Sequence, residues 1–201
     1  LAELELPAVR HVVVAGDADP PGATALAEAW GLDPAPPVAR EETDLSAIIY
    51  TSGTTGPSKG VVHTNRSLLR NSATAIDVAE LTPDDVAYSF FPLFHITGRS
   101  FVVSATMMAG GRIVLRERFS TSAFWDDVRA GAVTWFPAMG AVIQLLLVQE
   151  ERPDDADNPA RLVCVGAVTP EVRERFSRRF ALEVIDAYGM TETGTVAAQR
   201  I

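Results

Sequence analysis

Cysteine is almost absent. Cys164 is the only one in 201 residues, which excludes an intramolecular disulfide and any Cys-rich metal site. Lysine is just as scarce: of 17 basic residues 16 are arginine, and the single lysine is Lys59. Long apolar runs are missing. None approaches the ~20 residues of a membrane-spanning helix, and no signal peptide opens the chain, so a cytoplasmic protein is expected. Positive charge is in deficit too. The net charge is −9, whereas a non-specific nucleic-acid binder needs a basic face. The three histidines and Cys164 show no metal-ligand spacing. There is no G-x-S-x-G elbow to anchor serine hydrolysis, and no internal repeat.

What is present is a globular composition. Hydrophobic residues make up 47% of the chain, which rules out general disorder. The length suits one large domain or two small ones, and a chain of this size can bury roughly 70% of its unfolded surface. Residues 33–43, acidic and holding Pro34, Pro36 and Pro37, read as a surface linker. A second acidic, proline-containing break spans 150–159. The chain opens on Leu1 and stops at Ile201 just after a motif, as a fragment would.

Short apolar runs alternate with helical patterns. Strands are expected at 11–15, 47–50, 86–90, 112–115, 133–136, 162–165 and 183–186. Helices are expected at 23–30, 65–79, 99–109, 122–130, 138–150 and 170–180. Ser120 or Thr121 suits the cap of the fourth helix, and Pro170 suits a first helical turn after Thr169. The strand–helix–strand order predicts an α/β fold: a mostly parallel sheet with helices on both faces. The apolar runs are nearly continuous, as in strands buried on both sides.

Ligands of open parallel sheets bind beyond the carboxyl ends of the strands. Five polar or glycine-containing segments follow predicted strands, so they are expected to share one edge. The longest is Thr51-Ser52-Gly53-Thr54-Thr55-Gly56-Pro57-Ser58-Lys59-Gly60. Its glycines let backbone N–H groups close around a phosphate, its hydroxyls add donors, and Lys59 adds a mobile positive charge. It is no Walker A loop, which needs Gly-Lys-[Ser/Thr]. The plain alternative is a Gly/Thr surface loop. In Tyr188-Gly189-Met190-Thr191-Glu192 an aromatic face precedes a hydroxyl and a carboxylate. Tyr188 suits stacking on a base, Thr191 suits a phosphate oxygen, and Glu192 suits Mg²⁺, which favours hard oxygen donors. A turn with a surface glutamate is the alternative. His95 follows an aromatic run, where packing is the alternative to chemistry.

Together these segments resemble the adenylate-forming superfamily of acyl-CoA synthetases, peptide-synthetase adenylation domains and luciferases. Residues 50–60 look like its AMP-binding signature, and 188–192 like its second signature. Gly166-Ala167-Val168 is similar to the Gly-Ala-Pro segment, with valine for proline. Phe91-Pro92-Leu93-Phe94-His95 looks like the acyl-CoA synthetase form of the intermediate motif. Within the family the chain looks most like small-acid ligases, including the crotonobetaine/carnitine-CoA ligase branch.

The resemblance implies an ATP-dependent acid–CoA ligase, with ATP, Mg²⁺ and CoA as cofactor and co-substrates. Thr51, Ser52, Gly53, Thr54, Thr55 and Lys59 would hold the β- and γ-phosphates, with Gly56 in the same loop. Thr191 would meet the α-phosphate, and Glu192 with Thr51 would hold Mg²⁺. Gly166, Ala167 and Tyr188 would frame the adenine, with Asp186 beside them and Gly189 and Met190 completing the signature. His95 would line the acyl and thiol channel, and Trp135, Phe136, Met139 and Gly140 would shape the acyl pocket. The resemblance makes residues 1–201 part of a large N-terminal domain. It places a ribose-binding aspartate, a hinge and a small domain with the adenylation lysine beyond Ile201. The chain alone is then expected to be inactive, and a non-catalytic nucleotide- or acyl-binding module is the alternative.

Overall fold

The computed structural model describes residues 12–16, 21–30, 33–52 and 56–199. The chain divides into two units, 1–40 and 41–201. In the first, β1 (Val13–Val14) pairs in parallel with β2 (Thr24–Ala25), which leads into the single-turn helix α1 (Leu26–Ala29). The expected helix over 23–30 is therefore only one turn long, and His11 of the expected first strand lies outside the described residues. Residues 33–43 are exposed throughout and carry no helix or strand.

The second unit begins with an antiparallel hairpin. Strand β3 (Leu45–Thr51) pairs with β4 (Lys59–Thr64), with Ile48 opposite Val62 and Thr51 opposite Lys59. This corrects the expectation that the phosphate loop follows a strand of the main parallel sheet. The apolar run 47–50 predicts a strand buried on both faces, but β3 is exposed at Ile48 and Tyr50 and buried only at Ile49. The valines of 61–62 complete the hairpin, and it forms a sheet of its own.

Thr64 then caps α2 (Asn65–Ala79), its hydroxyl accepting the Ser67 N–H at 3.2 Å. An oxygen at this position satisfies a backbone donor that the first helical turn leaves free. The helix ends where Glu80 adopts the left-handed conformation.

Six strands form the main sheet. They are β5 (Val86–Ser89), β6 (Arg112–Leu115), β7 (Trp135–Met139), β8 (Leu162–Gly166), β9 (Glu183–Met190) and β10 (Gly194–Gln199). Their spatial order is β10-β9-β8-β7-β5-β6, all neighbours being parallel except β10, which runs antiparallel to β9. The parallel-rich sheet with helices is as the sequence leads one to expect.

Alternation along the strands divides the core between two faces. Tyr88, Phe136, Val163 and Val184 face a layer with Phe124 and Val128 of α4 (Phe124–Ala130), Ile143 and Leu146 of α5 (Gly140–Leu147), and Phe176 and Phe180 of α6 (Pro170–Phe180). Ala87, Trp135, Leu162, Cys164 and Ile185 face the other layer. There they meet Ala75 and Ala79 of α2, Phe101 and Val102 of a π-helical stretch (Thr97–Ser104), and Ala105 of α3 (Ala105–Ala109). The α6 start is as read: Pro170 opens it and the Thr169 hydroxyl accepts the Val172 N–H. The α4 start is not. Phe124 begins that helix after Ala123, with no side-chain cap. Residues 99–109 are π-helical before they become α-helical, a form that is rare and often marks functional sites.

Candidate active site

The Phe91–His95 turn and the ends of β7, β8 and β9 meet the β3–β4 hairpin loop around one cavity of about 1150 Å³. Ligand pockets commonly enclose 300–1,000 Å³, so this space is of the size that holds a small-molecule ligand.

The hairpin supplies the first wall. Thr51, Ser52, Gly56 and Lys59 line the cavity. Thr51 and Lys59 face each other at the hairpin's closing pair, where the Thr51 hydroxyl donates to the Lys59 carbonyl at 3.5 Å. The loop between them is thus held at its base by strand pairing, and the only lysine projects from its end. Gly53, Thr54 and Thr55 lie outside the described residues.

The opposite wall comes from the end of β9. Tyr188, Gly189, Met190, Thr191 and Glu192 line the cavity. The sequence reading ends this strand at Asp186, but β9 continues to Met190 because β10 folds back against it. Tyr188 and Gly189 are therefore strand residues, and Thr191 and Glu192 occupy the turn between the two strands. Gly194 closes that turn at φ +66°, which favours glycine.

The third wall carries His95. Its Nδ1 accepts the Thr97 N–H at 3.1 Å, and its backbone N–H donates to the Pro92 carbonyl at 2.9 Å. With Nδ1 occupied as an acceptor, the neutral ring carries its proton on Nε2. Partial burial lowers the pKa of His95, because it disfavours the charged ring.

The residues expected to shape an acyl pocket divide. Met139 lines the cavity and is half exposed. Trp135 and Phe136 do not line it: both are fully buried, on opposite faces of the sheet, Trp135 against Phe101 and Phe136 against Phe124. A strand that alternates at the sheet centre sends both side chains into core layers, leaving only the strand end for ligand. Gly140 sits under the 166–167 turn, where an added Cβ would fall 2.5 Å from the Ala167 carbonyl oxygen. Of the residues expected to frame the adenine or stand beside it, Gly166 and Tyr188 line the cavity, whereas Ala167 and Asp186 do not. Ala167 is held at φ +59°, a conformation that clusters at functional sites when a residue other than glycine adopts it.

Asn71, Phe101, Cys164 and Thr195 line the cavity as well, and the motifs gave no hint of them. Asn71 had a signal: it is a polar residue at helical spacing among the inward positions Leu68, Ser72, Ala75 and Ala79 of α2. Its side-chain oxygen accepts the Thr195 N–H at 3.0 Å.

Magnesium suits the donor set here. Glu192 brings an exposed carboxylate and Thr51 and Thr191 bring hydroxyl oxygens, all hard ligands on one cavity. Mg²⁺ is commonly held by one or two carboxylates plus substrate phosphates. Among the described residues no group of three or more His, Cys, Asp and Glu side chains gathers as a metal cage. No helix among them is long and apolar enough to cross a membrane.

The model of the AMP-binding enzyme family matches residues 2–201. A medium/long-chain fatty acid–CoA ligase of Mycobacterium marinum is 37% identical over 156 residues, covering 78% of this chain and 31% of that protein. A sulfoacetate–CoA ligase of Cupriavidus necator is 36% identical, covering 82% of this chain and 33% of that protein. The ATP-bound structure of MatB from Rhodopseudomonas palustris superposes with a TM-score of 0.78 at 28% identity, covering 89% of this chain and 36% of that chain. The chain thus spans about a third of the length of these relatives. With the family model matching residues 2–201, the chain belongs to the AMP-binding enzyme family, in the acyl-CoA ligase branch of the adenylate-forming superfamily.

Proposed function

We propose that this chain forms the nucleotide- and acyl-binding part of an ATP-dependent acid–CoA ligase. The observation that carries this is the meeting of Lys59, His95 and the Thr191–Glu192 turn on one cavity. A phosphate-binding loop alone would fit many nucleotide proteins. A donor loop, a metal-type carboxylate and a neutral imidazole around one space fit a carboxylate activated at a phosphate and then passed to a thiol.

The substrate carboxylate needs no base, since an unperturbed carboxylic acid ionises near pH ~4. One of its oxygens attacks the α-phosphorus of ATP. The bond from that phosphorus to the bridging oxygen breaks, and pyrophosphate leaves with the electron pair. The CoA thiolate then adds to the acyl carbon, and AMP leaves with the former carboxylate oxygen. In the first step Lys59, Ser52 and Thr51 hold the departing phosphates, while Thr191 steadies the α-phosphate. Preorganised donors of this kind act where charge develops and need no reorganisation during the reaction. Glu192 and Thr51 would hold a magnesium ion, which would supply further charge neutralisation at the triphosphate. Tyr188, 63% exposed at the cavity rim, offers a face for the adenine. His95 presents Nε2–H as a neutral donor beside the acyl group. The acid's tail runs along Phe94, Phe101 and Met139. A cytoplasmic setting suits an enzyme that consumes ATP and CoA.

The test is acid-dependent pyrophosphate release, followed by thioester formation, in the complete protein with a panel of carboxylic acids. Release that needs both ATP and one class of acid is the expected result. ATP binding with no acid-dependent release by any member of the panel would leave only a binding module.

A further inference from the structure

We infer that Asn71 is a positioning residue of the nucleotide site, holding the 190–194 turn, and with it Thr191 and Glu192, against helix α2. This rests on the reading of the cavity as an ATP site.

Asn71 is 7% exposed. A buried amide is costly unless it is hydrogen-bonded, and Asn71 bonds to a backbone group 124 residues away, the Thr195 N–H. That donor sits where the β9–β10 register shifts, between Thr195 and Ala197. Such irregularities re-aim strands beside active sites. The approach is close. Gly194, buried and at φ +66°, lies so near Asn71 that an added Cβ would fall 2.6 Å from its side-chain oxygen. The turn and the helix therefore fit only with an amide on one side and a glycine on the other.

The connectivity gives this contact its consequence. Helix α2 begins directly after β4, the strand whose first residue is Lys59. The turn carries Thr191 and Glu192. Asn71 thus ties the element that ends the phosphate loop to the element that bears the α-phosphate and metal donors. It lines the same cavity as both. It needs no contact with the reacting atoms to matter, because a misplacement of about 1 Å can cost ~10²-fold in rate.

The experiment compares ATP with inorganic pyrophosphate in the complete protein. Pyrophosphate reads the hairpin loop that holds the departing phosphates, whereas ATP needs the turn as well. For Asn71→Ala, kcat/KM for ATP should fall about 10- to 100-fold, while the Kd of pyrophosphate stays within about twofold. Gly194→Ala leaves α2 untouched and pushes the turn away, so it should give the same split and serves if Asn71→Ala does not fold. The double variant should be no worse than Gly194→Ala alone, because truncating Asn71 relieves the clash. Equal loss of both ligands in Gly194→Ala, or no loss of either, overturns the inference. Wild-type protein that binds ATP while both variants match it sinks this inference alone. Wild-type protein that binds neither ligand removes the ATP reading, and this inference with it.

Discussion

Arg161 donates its Nε–H to the Asp85 carboxylate at 3.0 Å, joining the start of β8 to the start of β5 across the sheet. Asp85 is 5% exposed, and its oxygens also accept from the Thr134 hydroxyl at 2.6 Å and the Thr82 N–H at 2.8 Å. Arg161 reaches on to the Ala79 carbonyl at the end of α2. One ion pair thus gathers two central strands and a helix at the end of the sheet away from the cavity.

Arg161→Ala should destabilise the fold by on the order of 3 kcal/mol, since it leaves a buried carboxylate without its cation. The acid limb should move too. Burial pushes the Asp85 carboxyl up, but the hydrogen bonds from Arg161, Thr134 and Thr82 and the Arg161 charge outweigh it, so its pKa lies below 3.8. That stabilisation is present above the unfolded value near 3.8 and is lost as pH falls through the folded value. Without Arg161 burial dominates, and the loss should begin at higher pH. Urea unfolding from pH 3 to 7 checks both; coincident wild-type and variant curves would contradict them.

Lys59→Ala should lower ATP-dependent pyrophosphate release on the order of 10²–10³-fold, the usual loss for one preorganised donor. The fold should tolerate the change, since residue 59 is exposed at the mouth of the hairpin. A normal rate of pyrophosphate release in the variant would remove Lys59 from the phosphate site.

Glu192→Gln should raise the magnesium concentration needed for half-maximal rate, with little change in stability, because residue 192 is exposed. The amide keeps the shape and loses the charge that attracts a hard cation. An unaltered magnesium titration would show that Glu192 does not hold the metal.

Much of this site was legible because chemistry-bearing residues stand beside strand ends, where a parallel sheet collects its loops. The bounds of α2 and α6 match the expected 65–79 and 170–180, and at α6 Thr169 and Pro170 mark the start in the sequence itself. The hairpin was not legible. Residues 59–64 are too short and too close to a glycine-rich loop to declare a strand, and only pairing with 45–51 makes them one. The course of β9 past Asp186 had the same cause, since its partner β10 lies beyond the motif. Trp135 and Phe136 are expected in the pocket because the resemblance carries the whole segment over, and a motif does not tell which of its side chains face a ligand. Only alternation across a sheet buried on both faces decides that.

Trp135→Ala should therefore act on stability and not on substrate choice. Removing a fully buried indole costs about 3–5 kcal/mol, and Trp135 is 0% exposed. Met139→Ala should do the reverse: little loss of stability, but a shift in the range of acids accepted. Thermal unfolding beside an acid panel separates the two. A Trp135→Ala protein of wild-type stability with altered acid preference would return Trp135 to the pocket.

The last expectation concerns the proton on His95. The Thr97 N–H occupies Nδ1, so ring protonation must break that hydrogen bond. Desolvation of the ring disfavours the charge and holds the folded pKa below 6.5. The sign follows from linkage. Where the folded pKa of a histidine is lowered, the unfolded chain binds more protons between the two values, so stability rises with pH across that window. The contribution of His95 is complete above about 6.5 and is lost as pH falls from there through the folded value. At neutral pH the ring therefore works as a neutral donor through Nε2–H, and the thioester step should show no inflection from His95 between pH 6.5 and 8. Nitrogen NMR of the ring checks the tautomer directly. His95→Gln, which keeps a donor amide, should retain more thioester formation than His95→Ala. An Nδ1–H tautomer, or a His95-dependent inflection above 6.5, would mean that the Thr97 contact does not govern this side chain in solution.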